Sequence, residues 1–222
     1  MPLTVVVEPH PLLEPGVFTI HTAQPCGVLA TPPAIARLAE AGAEAPLASS
    51  DAVKSAVRDL LRAGGYKPSG RSKPASEYLA AAAAKGEFPR INALVDACNV
   101  VSLHAGLPIS LVDLDRLALG GAALADARLT SRVAPADTAY VFNPSGQTID
   151  AAGLVCVYDA QGPTGTPVKD AQRTKTHDGT RATLAILWGT RALPGRTAEA
   201  TRWYRALVAE LAGASIGDVA LD

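Results

Sequence analysis

Two stretches of this chain concentrate side chains able to do chemistry. The first is Ile91-Asn92-Ala93-Leu94-Val95-Asp96-Ala97-Cys98-Asn99-Val100-Val101-Ser102-Leu103, where Asp96 is the one charged residue. A surface helix shows Lys, Glu or Arg on its outer face. This segment shows none, so a helix from about Arg90 to Leu103 is expected to be buried nearly all round. Asn92, Asp96 and Asn99, four and three residues apart, then share one stripe. Unpaired buried polar groups cost roughly 1–3 kcal/mol each. The stripe must therefore pin neighbouring backbone or face a cleft. Asn92 and Asp96 read as pins. Asn99, near His104 and the helix end, stays open between the two roles.

The second stretch runs from Pro167 to Arg181. Lys169, Arg173, Lys175 and Arg181 make a basic cluster in a chain of net charge -1, the chemistry that meets a phosphate backbone or a carboxylate. Thr174, Thr176 and Thr180 add hydroxyls, and Gln172 and Asp170 can orient a water or read an amino group. A charge run is ordinarily a solvated loop. Here it lies between two β-prone apolar runs, where a sheet would present a loop to a cleft. His177, followed by Asp178-Gly179, reads as a turn residue. Asp113 and Asp115 share one side of a strand and read as a cap for the Arg116 to Gly120 segment. No GxSxG, HExxH, Walker-type loop or dinucleotide fingerprint occurs. Cys26, Cys98 and Cys156 lack any paired ligand spacing and read as buried free thiols of a reducing compartment. No metal and no cofactor are expected.

The elements that must position these residues are set by punctuation and periodicity. Strands are predicted at Leu3 to Val7 and Gly16 to His21, with the Glu-Pro-His-Pro and Glu-Pro-Gly punctuation between them as a turn region. Thr31-Pro32-Pro33 caps a helix ending near Gly42, and Ser49 or Ser50 starts another that stops at Gly64-Gly65. Tyr66 to Lys73 is a basic connection rich in Gly, Ser and Pro, leading into a helix from about Ala75 to Lys85. β-type runs appear at Ile109 to Leu114, Tyr140 to Phe142, Gly153 to Tyr158 and Ala182 to Trp188, before a helix over about Thr197 to Leu211. Helices in the first half and strands in the second predict an α+β fold, a mixed β-sheet packed with helices. Aromatics make up 5% of the chain, so the core must be built mostly from Val, Leu, Ile and Ala.

The length of 222 residues fits a single domain over 1–222. Near-neutral charge argues against a non-specific grip on nucleic acid, so an RNA partner requires a local basic patch. The N-terminus has no basic leader, and no run is long enough to span a membrane. A cytoplasmic protein with no membrane and no DNA partner is expected.

Ser76-Glu77-Tyr78-Leu79, the string from Gly86-Glu87-Phe88-Pro89 through Ile91-Asn92-Ala93-Leu94-Val95-Asp96 to Asn99-Val100-Val101-Ser102, Leu107-Pro108-Ile109 and Asp113-Leu114-Asp115 together resemble the B-three/B-four domain. That domain belongs to the beta subunit of phenylalanyl-tRNA synthetase and also occurs free-standing. Gly153-Leu154-Val155-Cys156 and Pro167 to Thr176 look like the matching later half, so the resemblance is clearest over 50–190. It implies the editing-domain-like α+β fold and an aminoacyl-tRNA or other RNA partner. It also implies a trans-editing hydrolase, an aminoacyl-tRNA deacylase rather than a ligase. Ester hydrolysis needs a positioned water and stabilisation of the oxyanion, not a protein nucleophile. On that reading Lys169, Arg173 and Lys175 meet acceptor-end phosphates or ribose. Asn99, Gln172 and Thr174 hold the water, with Asp170 beside them. His104 forms a wall, and Asn92 and Asp96 support the site from behind. A non-catalytic RNA-binding module and a protein acting on a free amino-acid derivative remain the alternatives.

Overall fold

The buried helix is the pivot of the fold. In the computed structural model, which describes residues 3–40 and 42–222, α4 (Ala93–Ala105) begins where Asn92 Oδ1 accepts the Val95 N–H at 3.0 Å. It ends at Gly106, whose φ of 68° closes the last turn in the left-handed region. The start lies later than the apolar pattern predicts, because Asn92 caps the helix. Ile91, just outside, is exposed. Ala93, Leu94, Asp96, Ala97, Cys98, Val100, Val101, Ser102 and Ala105 are all buried, which leaves Val95, Asn99 and Leu103 on one half-buried stripe.

α4 packs against α1 (Pro33–Leu38), α3 (Ala75–Ala83), α5 (Arg196–Ala209) and strand β3 (Ile109–Asp113). α2 (Asp51–Arg62) starts at Ser50, whose hydroxyl accepts the Val53 N–H, and buries Val53, Val57, Leu60 and Leu61 on one face. Thr31 does not cap α1. Its hydroxyl reaches Asp96 Oδ2 at 2.8 Å, and Pro32 occupies the cap position. α1 also ends at Leu38, short of Gly42.

One sheet is antiparallel, in the order β10-β2-β9-β3, with β2 at Leu13–Thr22, β9 at Ala182–Thr190 and β10 at Ala214–Asp218. β9 is buried from Thr183 to Thr190, and this explains its continuous apolar run. α5 lies on this sheet, with Tyr204 edge-on to Phe18 at 5.0 Å. Glu14-Pro15-Gly16 does not turn the chain. It lies inside β2, with Pro15 opposite Trp188.

The second sheet is mixed, in the order β11-β1-β4-β7-β8. Its strands are β1 (Thr4–Val7), β4 (Arg128–Val133), β7 (Val155–Asp159), β8 (Gly162–Gly165) and β11 (Ala220–Leu221). β1 runs parallel to β4 and β11, and the other pairings are antiparallel. β5 (Ala139–Val141) and β6 (Thr148–Asp150) form a separate hairpin. The architecture is α+β with mixed sheets. The two main sheets meet where β3 approaches β8. Trp188 Nε1 donates to Ser110 Oγ at 2.9 Å, Ser110 Oγ donates to Thr166 O at 3.1 Å, and Val112 bridges Lys175. That junction anchors the polar loop from Thr166 to Thr176.

Candidate functional site

The loop after β8 folds back on its own Thr166. Thr166 Oγ1 donates to Lys169 O at 2.8 Å and accepts the Lys169 N–H at 3.1 Å, while Tyr140 Oη donates to Lys169 O at 2.5 Å. Asp170 Oδ1 accepts the Thr166 N–H at 3.2 Å. The Lys169 backbone is thereby fixed, and its ammonium lies 3.9 Å from the centre of the Phe142 ring. Burial holds the Lys169 pKa below the ordinary lysine value, and the nearby Arg71 and Lys175 charges lower it further.

Lys169 closes one side of a cavity of about 390 Å³. α4 supplies Asn99 and Ser102 to its walls, α3 supplies Ala75, Tyr78 and Leu79, and β3 supplies Ile109. Val168 comes from the loop and Arg71 from the α2–α3 connection. Most of this wall is hydrocarbon. Its polar groups are the Asn99 amide, the Ser102 hydroxyl, the two cations and the Tyr78 hydroxyl, which donates to Gly70 O. Ser102 Oγ donates to Leu107 O at 2.8 Å and keeps its lone pairs. The Asn99 side chain makes no hydrogen bond among the described residues and opens into the cavity. Arg71 and Lys169 form no ion pair among the described residues, and they also line an adjoining cleft of about 490 Å³ with Ser72, Phe142, Gln147 and Asp150. The site thus offers an amide and two cations at the edge of an apolar chamber.

The other residues singled out from the sequence lie elsewhere. Arg173 turns inward. Its guanidinium meets the Asp159 carboxylate at 2.7 and 2.8 Å and donates to Gly162 O and Pro163 O. Burial pushes the Asp159 carboxyl up, but hydrogen bonds from Arg173 and from the Ala118 and Gln161 N–H groups outweigh it and hold the pKa low. Lys175 Nζ donates to Phe142 O at 2.5 Å. Thr174 is buried, its hydroxyl on Thr164 O at 3.2 Å. Gln172 Oε1 is buried and has no hydrogen-bond partner among the described residues. Asp170 is not in the cavity wall, and burial pushes its carboxyl up to about 6. His104 lies in a different recess, with Nε2 2.7 Å from Leu38 O and its ring edge-on to Trp203 at 5.9 Å. Asn92 caps α4. Asp96 binds Thr31 and the Ile91 N–H and so acts as a pin, whereas the Asn92 bond to Val95 stays within its own helix start. Of the sequence candidates, the structure brings together Asn99 and Lys169. Arg71, Tyr78 and Ser102 join them unannounced. Arg71 sits in the basic connection noted in the sequence, but nothing there says that this connection crosses to α4.

One grouping resembles a nucleophilic relay and is not one. Asp113 is buried and accepts from Thr180 Oγ1 at 2.6 Å and from the Asp115 N–H at 2.9 Å, with His177 Nε2 at 3.4 Å. Cys26 Sγ points at the His177 carbonyl at 2.9 Å, and His177 Nδ1 accepts the Gly179 N–H. Burial raises the Cys26 pKa, and Asp178 and Asp113 raise it further. A thiol so placed stays protonated. Cys26, Cys98 and Cys156 are all buried and unbridged. Among the described residues no group of three or more His, Cys, Asp or Glu side chains is placed to hold a metal ion. No helix among them is long and apolar enough to cross a membrane.

A family model described as the B3/4 domain matches residues 67–205. The matched span includes the α2–α3 connection, α4, β3 and the loop bearing Lys169, and so every wall of the cavity. No curated protein matches the chain.

Proposed function

The chain belongs to the B3/4 domain family, and from that premise we propose that it hydrolyses the ester of a mischarged aminoacyl-tRNA, acting in trans. The family is associated with tRNA-synthetase-related RNA binding or editing. The observation that carries the narrower reading is the unpartnered Asn99 amide facing the same apolar chamber as the Lys169 ammonium. A chamber of about 390 Å³ accommodates an amino-acid side chain against Tyr78, Leu79, Ile109 and Val168. The ester would then lie at its edge. There Lys169 and Arg71 stabilise the oxyanion as water adds to the carbonyl carbon, and Asn99 orients that water. The C–O bond to the ribose breaks and the ribose oxygen takes a proton from water.

The experiment is release of amino acid from a panel of mischarged tRNAs by wild type, Asn99→Ala and Lys169→Ala. One mischarged species should be deacylated while its correctly charged form is spared. Each variant should lose about tenfold or more in rate, the scale of one misplaced or missing electrostatic partner. Equal rates for wild type and both variants would remove the cavity from the reaction.

A second reading, RNA binding without chemistry, is favoured by one feature of the cavity: no carboxylate, imidazole or thiol is in its wall. RNA binding with no release across the panel would establish it.

A further inference from the structure

We propose that the groove between α2 and α3 is the track for the single-stranded 3′ end of an RNA, leading its terminal residue into the Asn99–Lys169 chamber. The inference rests on the reading of the substrate as RNA-linked, and it names the surface that the reading lacks. The loop cluster expected to meet phosphates is largely used up internally, by Asp159 on Arg173 and Phe142 O on Lys175.

The net charge of -1 conceals a strong asymmetry. Residues 51–90 carry eight Lys and Arg against four Asp and Glu, a surplus of four positive charges. The remainder carries twelve against seventeen, a deficit of five. Within the positive part, Lys54, Arg58 and Arg62 recur every four residues along α2, in a row flanking the buried face of Val53, Val57, Leu60 and Leu61. They stand about 6 Å apart along the axis and line a groove of about 750 Å³ with Lys73, Glu77 and Tyr78.

Three of the four carboxylates in this region are matched singly: Asp51 by Lys54 at 3.0 Å, Asp59 by Arg62 at 2.8 Å and Glu77 by Arg58 at 2.6 Å. The first two pairs are exposed and hold their cations weakly. Lys67, Arg71 and Lys73 form no ion pair among the described residues. Of these, Lys73 lines the groove and Arg71 lines the chamber beyond it. An anion in the groove therefore meets Lys73 and the weakly held Lys54 and Arg62.

Tyr78 joins groove to chamber. It is 42% exposed, its hydroxyl donates to Gly70 O at 3.1 Å, and its ring lines both spaces. An open aromatic face at the end of a basic groove is the arrangement on which an unpaired base stacks. Duplex nucleic acid has no free base to place there, so a single-stranded end is the occupant that uses both features.

The test measures binding of deacylated tRNA and of a short single-stranded RNA matching its 3′ end, by fluorescence anisotropy across a salt series. The full-length chain is compared with Arg62→Glu/Lys73→Glu and with Arg128→Glu/Arg205→Glu, which changes net charge equally elsewhere. The groove variant should bind both RNAs at least tenfold more weakly and show a shallower salt dependence, by about 0.7 in slope per lost phosphate contact on a single strand. The control should bind as wild type. If the double reversal fails to fold by thermal melting, Lys54→Gln/Lys73→Gln replaces it, with a smaller loss in the same direction. Absence of RNA binding by wild type, equal loss in both reversals, or no loss in the groove variant would overturn the proposal.

Hydrolysis of an aminoacyl-adenosine, which lacks the upstream phosphates, separates this proposal from the editing reading. The groove variant should keep that activity while KM for aminoacyl-tRNA rises. Groove-dependent RNA binding with no hydrolysis leaves the track standing and removes editing. Hydrolysis indifferent to the groove does the reverse.

Discussion

Lys169 and Arg173 are four residues apart in one loop, yet their surroundings give them opposite roles. Arg173 neutralises Asp159, whose side chain is fully buried. Arg173→Ala leaves that buried carboxylate with its backbone N–H partners but no counter-charge and should cost about 3–5 kcal/mol in chemical denaturation. Lys169 loses a ring contact and no ion pair on truncation, so Lys169→Ala should melt close to wild type and show its defect in deacylation instead. Asp170 carries a different signature. Its carboxyl rises from 3.8 to about 6 on folding, so the folded state favours the proton. The stability this contributes is complete below the ordinary carboxylate value and is lost as pH rises to about 6. Asp170→Asn should therefore be more stable than wild type at pH 7, by about 1–3 kcal/mol, and should lack the decline between pH 4 and 6. A flat wild-type profile in denaturant melts across that window would contradict the assignment. At this scale the sequence is legible where partners are local, as at the Ser50 cap of α2. Helical spacing puts Asn92 and Asp96 on one polar stripe, but it gives neither Asn92 as the cap of α4 nor the distant Thr31 as the partner of Asp96. The Arg173–Asp159 pair and the Arg71–Lys169 meeting depend on β7, β8 and the α2–α3 connection coming together, which no spacing encodes.

Elements with strong periodicity are readable from the chain: α2 by its apolar stripe and Ser50 cap, α4 by its missing surface charge, β9 by its unbroken apolar run. β4 escapes a pattern reading because Arg128 and Arg132 flank an alternating, half-exposed strand, and β10 because Gly217 interrupts it. β8 is hidden in the polar loop, since Gly162-Pro163-Thr164-Gly165 carries turn residues yet pairs with β7. One contact between elements makes a direct prediction. Gly64, just past α2, and Gly153, before β7 at φ 75°, approach backbone to backbone, and a Cβ on either would collide with the other's carbonyl. Gly64→Ala should destabilise by more than the roughly 1–3 kcal/mol of ordinary overpacking, because main chain cannot rotate aside. A denaturation midpoint unchanged from wild type would show that the approach is looser than described.

The whole molecule sets the helices that carry Asn99 and Tyr78 against a loop held at the meeting of two sheets. One continuous buried cluster, from Leu3 to Leu211, fixes that arrangement. The α+β class is legible in the distribution of helices and strands along the chain. The sheet order is not, because the terminal strands β1, β10 and β11 join across nearly the full length. Net charge misleads in the same way: near zero overall, it divides into a basic segment and an acidic remainder. The claim that unites these levels is that the chamber between α3, α4 and the Lys169 loop removes an amino acid from tRNA. Its most direct test is single-turnover release of amino acid from a mischarged tRNA panel by wild type and Asn99→Ala. The expected result is release from one mischarged species by wild type, with the correctly charged tRNA intact and the Asn99→Ala rate at least tenfold lower. No release from any species, or release unaffected by Asn99→Ala, would contradict it.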